Sequence, residues 1–365
     1  MNRRYIRRSV FRILKRSNLI WSLNYHHFLR EELRENLSKM KLQKVKSRAE
    51  VRKEVCECRK YWKCYARDYY LYYELYDKEI SIDKILEYVP PFFFANYHQE
   101  YYQKGLDIVK LSDKLEQYRL LKSRFVRTPE VVCFIHDGKV YSDDSILINL
   151  CDLSDYQKQQ KIFVKPVGSM GGHGIMVMSS FNELQNRLSE LNRTVKYIVQ
   201  RGLVQREDFS KINPSCVNTL RVIVHENSEK KRMLMKICIL RMGRNNSFVD
   251  NSAQGGLSIA IDVNDGSFAD YATTEHGGGI YEFHPDTNFM FKGNKIEGWQ
   301  SIRDQIEDFA SKLVDFRDVA LDVAVLDDGV SIVEYNFGYG IDHIQKTIGG
   351  IATILNVKPW HRKRY

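Results

Sequence analysis

Two acids and an amide near the end of the chain, Asp322, Glu334 and Asn336, have the spacing of a metal site. Residues 319–326 (VALDVAVL) and 330–336 (VSIVEYN) read as strands flanking the turn Asp327-Asp328-Gly329. A hairpin centred near Asp328 sets Asp322 opposite Glu334, with Asn336 two residues further along the same face. Opposed carboxylates repel by a few tenths to about 1 kcal/mol, and a cation between them would relieve that cost. Mg²⁺ takes one or two carboxylates and completes its octahedron with water and phosphate oxygens. Two solvated acids on an exposed face also fit the spacing, and a bulge at Gly329 would slip the register by one.

A second group could hold phosphate. Phe163-Val164-Lys165-Pro166 ends a strand and enters the turn Val167-Gly168-Ser169-Met170-Gly171-Gly172-His173-Gly174, after which another strand begins. Glycines let backbone N–H groups approach phosphate oxygens closely, and Lys165 adds a point charge. The segment lacks the Gly-Lys-Ser/Thr ending of a P-loop and the helix of a dinucleotide fingerprint; a plain tight hairpin is the other reading. Arg221, Arg241 and Arg244 lie on or beside predicted strands, where a guanidinium suits bidentate contact with phosphate or carboxylate. Asp250-Asn251 and Gln254-Gly255-Gly256 follow as a turn where backbone could meet a ligand. Internal Arg–Asp ion pairs would explain the arginines equally well.

The elements that must position these groups are short β-branched runs alternating with helices from about residue 110. Strands are predicted at 131–135, 162–165, 174–178, 195–200, 217–224 and 234–241, besides the two above, and helices at 112–124, 181–192 and 299–315. That mixture argues α+β or α/β. At 365 residues the chain exceeds one ordinary domain. With 43% hydrophobic residues and 7 Pro it is not disordered throughout, and no apolar run reaches the roughly 18–20 residues of a membrane span. Seven scattered Cys, an odd number, favour reduced thiols over a disulfide framework.

The net charge of +10 is uneven. Residues 1–67 hold 20 Lys/Arg against 6 Asp/Glu, a net of +14, so the remainder carries −4. The first 30 residues contain no acid, and Ile6, Val10, Phe11, Ile13, Leu14, Ile20 and Trp21 recur at helical spacing among arginines. That describes a basic amphipathic helix suited to an anionic membrane surface, or one packed on its own protein. Residues 28–88 read as helical, with Tyr61, Trp62, Tyr65, Tyr69, Tyr72, Tyr73 and Tyr76 on one face until Val89-Pro90-Pro91 breaks it.

The ordered set Asp113-Lys114, Lys165-Pro166 with its glycine turn, Tyr197-Ile198-Val199-Gln200, Arg221, Arg241 and Asp322…Glu334-Tyr335-Asn336 resembles the ATP-grasp superfamily. Residues 212–221 (INPSCVNTLR), with Leu240-Arg241-Met242-Gly243-Arg244, Val249-Asp250-Asn251 and Gly255-Gly256, resemble its group associated with sugar transfer and exopolysaccharide gene clusters. The likeness covers roughly residues 90–356. It implies an α+β ATP-grasp fold, two subdomains sandwiching ATP, behind a helical N-terminal extension. The implied division is a basic, aromatic-rich region 1–88, a preceding segment 89–160, a lid 161–205, a catalytic subdomain 206–356 and a basic tail 357–365.

The same resemblance implies roles. Lys114 and Lys165 would bind ATP phosphates, and Ser169, Gly171, Gly172 and Gly174 would close over them. The backbone from Gln200 to Leu203 would run along adenine, although family members often carry an acid where Gln200 stands, and Glu207 would meet the ribose. Asp322, Glu334 and Asn336 would hold Mg²⁺. Arg221, Arg241 and Arg244 would stabilise the transferring phosphoryl group or a tetrahedral intermediate. The implied activity is an ATP-dependent carboxylate–amine ligase acting through an acyl phosphate. Its substrates would be an acidic sugar or other carboxylate and an amine, in the cytoplasm or at the inner face of the membrane. Alternatives are a kinase of sugar hydroxyls and a non-catalytic membrane adaptor. Nucleic-acid binding has no module motif in its favour.

Overall fold

The computed structural model describes residues 44–64, 72–150, 153, 161–169, 174–227, 229, 232–250, 255–275, 279–313 and 315–359. The predicted basic helix at the N-terminus, Gly171 and Gly172 of the glycine turn, Asn251, Gln254 and the last residues of the basic tail lie outside them.

Two antiparallel sheets carry the molecule. The first contains β1 (Val131–His136), β2 (Lys139–Tyr141), β3 (Leu147–Ile148), β4 (Ile162–Pro166), β5 (Met176–Met178) and β6 (Tyr197–Arg201). Its order is β3-β2-β1-β6-β4-β5, so strands from before and after residue 161 share one sheet. The second contains β7 (Thr219–Asn227), β8 (Arg232–Met242), β9 (Leu257–Ile261), β10 (Ala272–Thr274), β11 (Ile280–Tyr281), β12 (Asp318–Leu326) and β13 (Gly329–Asn336), in the order β11-β10-β9-β8-β7-β12-β13. With its helices this is an α+β architecture. Strands β2, β3, β9, β10 and β11 were not predicted. Four of the five have two or three residues, too few for alternation to register.

The larger sheet sorts its side chains by the two-residue period of a strand. Leu220, Val222 and Val224 of β7 join Val319, Leu321, Val323 and Val325 of β12 in the main core. Helix α5 (Trp299–Lys312) closes that core with Trp299, Ile302, Ile306 and Ala310, the labels α1 to α4 belonging to the helices Arg48–Trp62, Lys114–Ser123, Phe181–Arg187 and Glu207–Ile212. On the opposite face Ile223, Ile237, Ile239 and Ala320 pack against Trp62, Phe93, Phe94 and the helix α6 (Asp342–Ile348). The polar residues interleaved on that second face are those picked out above by their chemistry.

The long helix expected over 28–88 is a misreading where it can be checked. Helix α1 ends at Trp62, capped by Lys63 at φ 55°. Tyr73–Tyr76 form only a short 3₁₀ turn, so the aromatic stripe does not lie on one helix. Trp62 is fully buried against Phe93, with ring centroids 5.0 Å apart. Among the described residues no helix is long and apolar enough to cross a membrane.

The buried thiols give a check on this packing. Burial pushes Cys58, Cys133 and Cys216 up to about 12 and raises Cys238 as well, whereas Cys56 is exposed. Thiolate is the reactive form. Peptide mapping after alkylation at pH 8 should therefore find Cys56 labelled in minutes and those four labelled only after denaturation. Rapid labelling of Cys133 or Cys238 in native protein would contradict the packing.

Candidate functional site

The hairpin β12–β13 places its acids as the spacing predicts, but by another route. The turn is two residues long, with Leu326 facing Gly329, and a bulge beside Asp322–Val323 then shifts the register by one. That shift, next to the site rather than at the turn, brings Asp322 opposite Glu334. Asn336 donates from Nδ2 to Glu334 Oε1 at 3.2 Å, tying the amide to the acid.

On its other side Asp322 pairs in register with Arg221 of β7. Arg221 donates through Nε to Oδ1 and through Nη2 to Oδ2 at 3.1 Å, and Arg241 Nη2 stands 3.0 Å from Oδ2. Asp322 is 3% exposed. Burial alone would raise its carboxyl, but the Arg221 and Arg241 guanidiniums hold it below the usual carboxylate range. Arg241 also donates to Thr219 Oγ1 at 2.9 Å, and the Thr219 hydroxyl in turn donates to Asp250. The arginines are thus in ion pairs, as the structural alternative required, and they also line the cleft.

Lys165 is the penultimate residue of β4 on the facing sheet. Burial pushes its ammonium below the ordinary lysine value, against the opposing pull of Glu334. Among the described residues its Nζ makes no hydrogen bond or ion pair; it lies over the Phe163 ring, 5.7 Å from the centroid. A half-buried cation without a charged partner is partly desolvated, and an anionic ligand offsets that cost. Lys114 opens α2, whose N-cap Asp113 accepts from the N–H groups of Leu115 and Glu116. Its Nζ donates to the Ser169 carbonyl, fastening the glycine turn to the helix. Gly174 closes the turn at φ +73°, and a Cβ there would sit 3.1 Å from Pro166 Cγ, so both conformation and space select glycine.

Lys114, Lys165, Ser169, Gln200 and Leu203 from one side meet Arg221, Arg241, Asp322, Glu334 and Asn336 from the other around one cleft of about 730 Å³. Five cations (Lys114, Lys165, Arg201, Arg221, Arg241) and five acids (Asp250, Glu275, Asp322, Glu334, Asp342) line it, so the cleft separates charges of both signs and carries no net excess. Two predicted residues stand elsewhere. Glu207 is the first residue of α4; its side chain is 81% exposed and pairs with Lys211, one turn on, at 3.1 Å. Arg244 is turned toward β11, donating to the Tyr281 hydroxyl at 2.7 Å. Asp250 entered the sequence reading only as a turn residue, and its pairing with Thr219 and Arg241 makes it part of the wall. Glu275, Asp342 and His343 line the cleft's far end without any motif to mark them.

The family model for sugar-transfer associated ATP-grasp proteins matches residues 93–350. The chain belongs to the sugar-transfer associated ATP-grasp family. Every cleft residue named here falls inside the matched span, and the ATP-grasp fold expected from the sequence is the fold found. No curated protein matches the chain. Carboxyaminoimidazole ribonucleotide synthase from Aspergillus clavatus, solved with ATP, is 10% identical over 63% of this chain and 45% of its own, with a TM-score of 0.38. The ATP-grasp ligase PsnB, solved with a minimal precursor, Mg and ADP, is 14% identical over 72% and 62%, at 0.40. D-alanine–D-alanine ligase from Bacillus anthracis is 10% identical over 70% of each chain, at 0.39. The chain spans 45–66% of the length of the first solved structures that it matches. The family match, not these distant likenesses, decides the assignment.

The residues present fit the nucleotide and metal that ATP-grasp proteins use. Asp322, Glu334 and Asn336 offer only hard oxygen donors, the set Mg²⁺ prefers. The unpaired Lys165 ammonium supplies what a triphosphate needs.

Proposed function

We propose that this chain is an ATP- and Mg²⁺-dependent carboxylate–amine ligase working through an acyl phosphate, with an acidic sugar as carboxylate substrate. The observation that carries the nucleotide half is the cleft itself. A half-buried Lys165, without a hydrogen bond or ion pair among the described residues, and a helix-borne Lys114 face an oxygen-donor set on the opposite sheet. The sugar half is supported by the family's association with sugar transfer alone.

The chemistry needs positioning and charge neutralisation more than acid–base work. An amine does not displace oxide from a carboxylate. Transfer of the γ-phosphoryl group breaks its bond to ADP and forms a bond to a carboxylate oxygen, giving a mixed anhydride. Amine nitrogen then attacks the acyl carbon, phosphate leaves with that oxygen, and the nitrogen gives up a proton. Mg²⁺ at Asp322, Glu334 and Asn336 would neutralise charge on the transferring phosphoryl group. Lys165 and Lys114 would orient the triphosphate. Arg221 and Arg241, held in place by Asp322, Thr219 and Asp250, would face the developing oxyanion. The basic N-terminal arm, net +14 over residues 1–67, would keep the enzyme at an anionic membrane surface.

Incubation with Mg-ATP and a panel of uronic acids and amino acids, read by mass spectrometry, should yield an amide together with ADP and free phosphate. A product carrying the γ-phosphate on a hydroxyl would replace the ligase reading by a kinase.

A further inference from the structure

Four residues along each strand from the Arg221–Asp322 pair, the same sheet face carries a second cluster. His225 of β7 pairs in register with Asp318 at the start of β12, as Arg221 pairs with Asp322. Four residues of strand span about 13 Å, so this cluster is separate from the cleft's acids. His98 reaches it from the π-helical turn Phe94–His98, and such turns collect at functional positions. His98, His225 and Asp318 are 0%, 5% and 3% exposed. We propose that these three residues bind a zinc ion that ties the helical segment 91–102 to the catalytic sheet.

Spacing comes first. His225 Nδ1 lies 3.1 Å from Asp318 Oδ1, and His98 Nε2 lies 3.8 Å from Oδ2. One ligand atom from each residue falls within 4.8 Å of the others, the one such group among the described residues. Bonds of about 2.0–2.2 Å to a tetrahedral ion set neighbouring ligand atoms about 3.3–3.5 Å apart; the 3.1 Å contact to Oδ1 and the 3.8 Å contact to Oδ2 lie on either side of that value, on different oxygens of the carboxylate. The imidazole planes lie 20° apart with centroids 6.0 Å from each other, and each ring places one nitrogen within 3.8 Å of the same carboxylate.

Charge and donor type agree with the spacing. Asp318 is a buried acid with no Lys or Arg ion pair among the described residues; its neighbour Arg317 is committed to Glu226, with Nε 2.8 Å from Oε2. The carboxylate needs a positive partner, and a zinc ion supplies one. Two imidazoles and a carboxylate select zinc over magnesium. Tyr339 donates its hydroxyl to Asp318 at 2.9 and 3.0 Å, the kind of outer contact that fixes a ligating carboxylate. Tyr339 also lines the nucleotide cleft, three residues after Asn336. Occupancy of the zinc site would therefore hold the cleft wall at Tyr339 in place. A proton shared between His225 and Asp318 is the arrangement that competes with the ion.

The test uses untagged full-length protein, stripped with a chelator, reloaded with ZnCl₂ and assayed for bound metal by mass spectrometry. About one zinc per chain is expected, with a rise in melting temperature on reloading. Co²⁺ in its place should give a visible d–d band. Tyr339→Phe, which keeps all three ligands, should bind zinc about 10–100-fold more weakly, and His225→Gln should lose the ion and the band. If His225→Gln fails to fold, the wild-type stoichiometry and the cobalt spectrum still decide. Absence of bound zinc with an unchanged melting temperature, or equal binding by folded His225→Gln, would overturn the site and leave a hydrogen-bonded cluster.

Discussion

Glu334→Gln should lower turnover of ATP with acceptor by about a thousandfold or more, while the protein melts close to the wild-type temperature. A thousandfold corresponds to about 4 kcal/mol of transition-state stabilisation, within what a metal ion on a transferring phosphoryl group supplies. The substitution keeps the shape of the side chain and its contact with Asn336. It also removes one member of a like-charged cross-strand pair. Relief of that repulsion is offset by the lost attraction to Lys165 and Arg241, so stability should stay close to wild type as activity collapses, which separates this loss from misfolding. Matched melting curves and an ADP-release assay would show it. Turnover within about tenfold of wild type would remove Glu334 from the metal site.

Lys165→Met should weaken nucleotide binding by about 10–100-fold, from the loss of a charge-assisted contact of about 1.5–3 kcal/mol. The same change should stabilise the nucleotide-free protein near neutral pH. The sign follows from burial, which lowers the Lys165 value in the folded state. The native form then binds this proton less readily than the unfolded chain does. The resulting penalty is absent above the ordinary lysine value near 10.5, grows as pH falls toward the folded value, and is complete below it. Methionine fills the same space without the charge. Calorimetric titration with a non-hydrolysable ATP analogue, beside melting curves at pH 7, tests both halves. Unchanged affinity would discredit Lys165 as a phosphate ligand.

What the sequence made legible was local and ordered. The hairpin acids were readable because strand alternation and a turn fix which residues oppose each other. Even so the agreement at Asp322–Glu334 came through a bulge that no spacing rule located. Lys165 and the glycine turn were readable because a lysine ending a strand before four glycines has few structural uses. Glu207 was misjudged because an acid opening a helix also serves the helix itself, and here it pairs with Lys211 at the surface. Arg244 was grouped with Arg241 by proximity in sequence, yet it lies beyond the end of β8 and turns to Tyr281 instead. Asp250 acquires its role only when β7 and β8 bring Thr219 and Arg241 beside it. The His98–His225–Asp318 cluster spans 220 residues of chain, and nothing in its spacing announces it. Tertiary packing alone assembles such groups.

A nucleotide bound between Lys165 and the opposed acids, with a divalent ion on the acid side, is the central claim. Titrating a non-hydrolysable ATP analogue into the protein with and without Mg²⁺ tests that claim most directly. One site per chain, tightened at least tenfold by Mg²⁺ in wild type but not in Glu334→Gln, is the predicted result. Binding that ignores Mg²⁺, or no binding at all by folded protein, would contradict it.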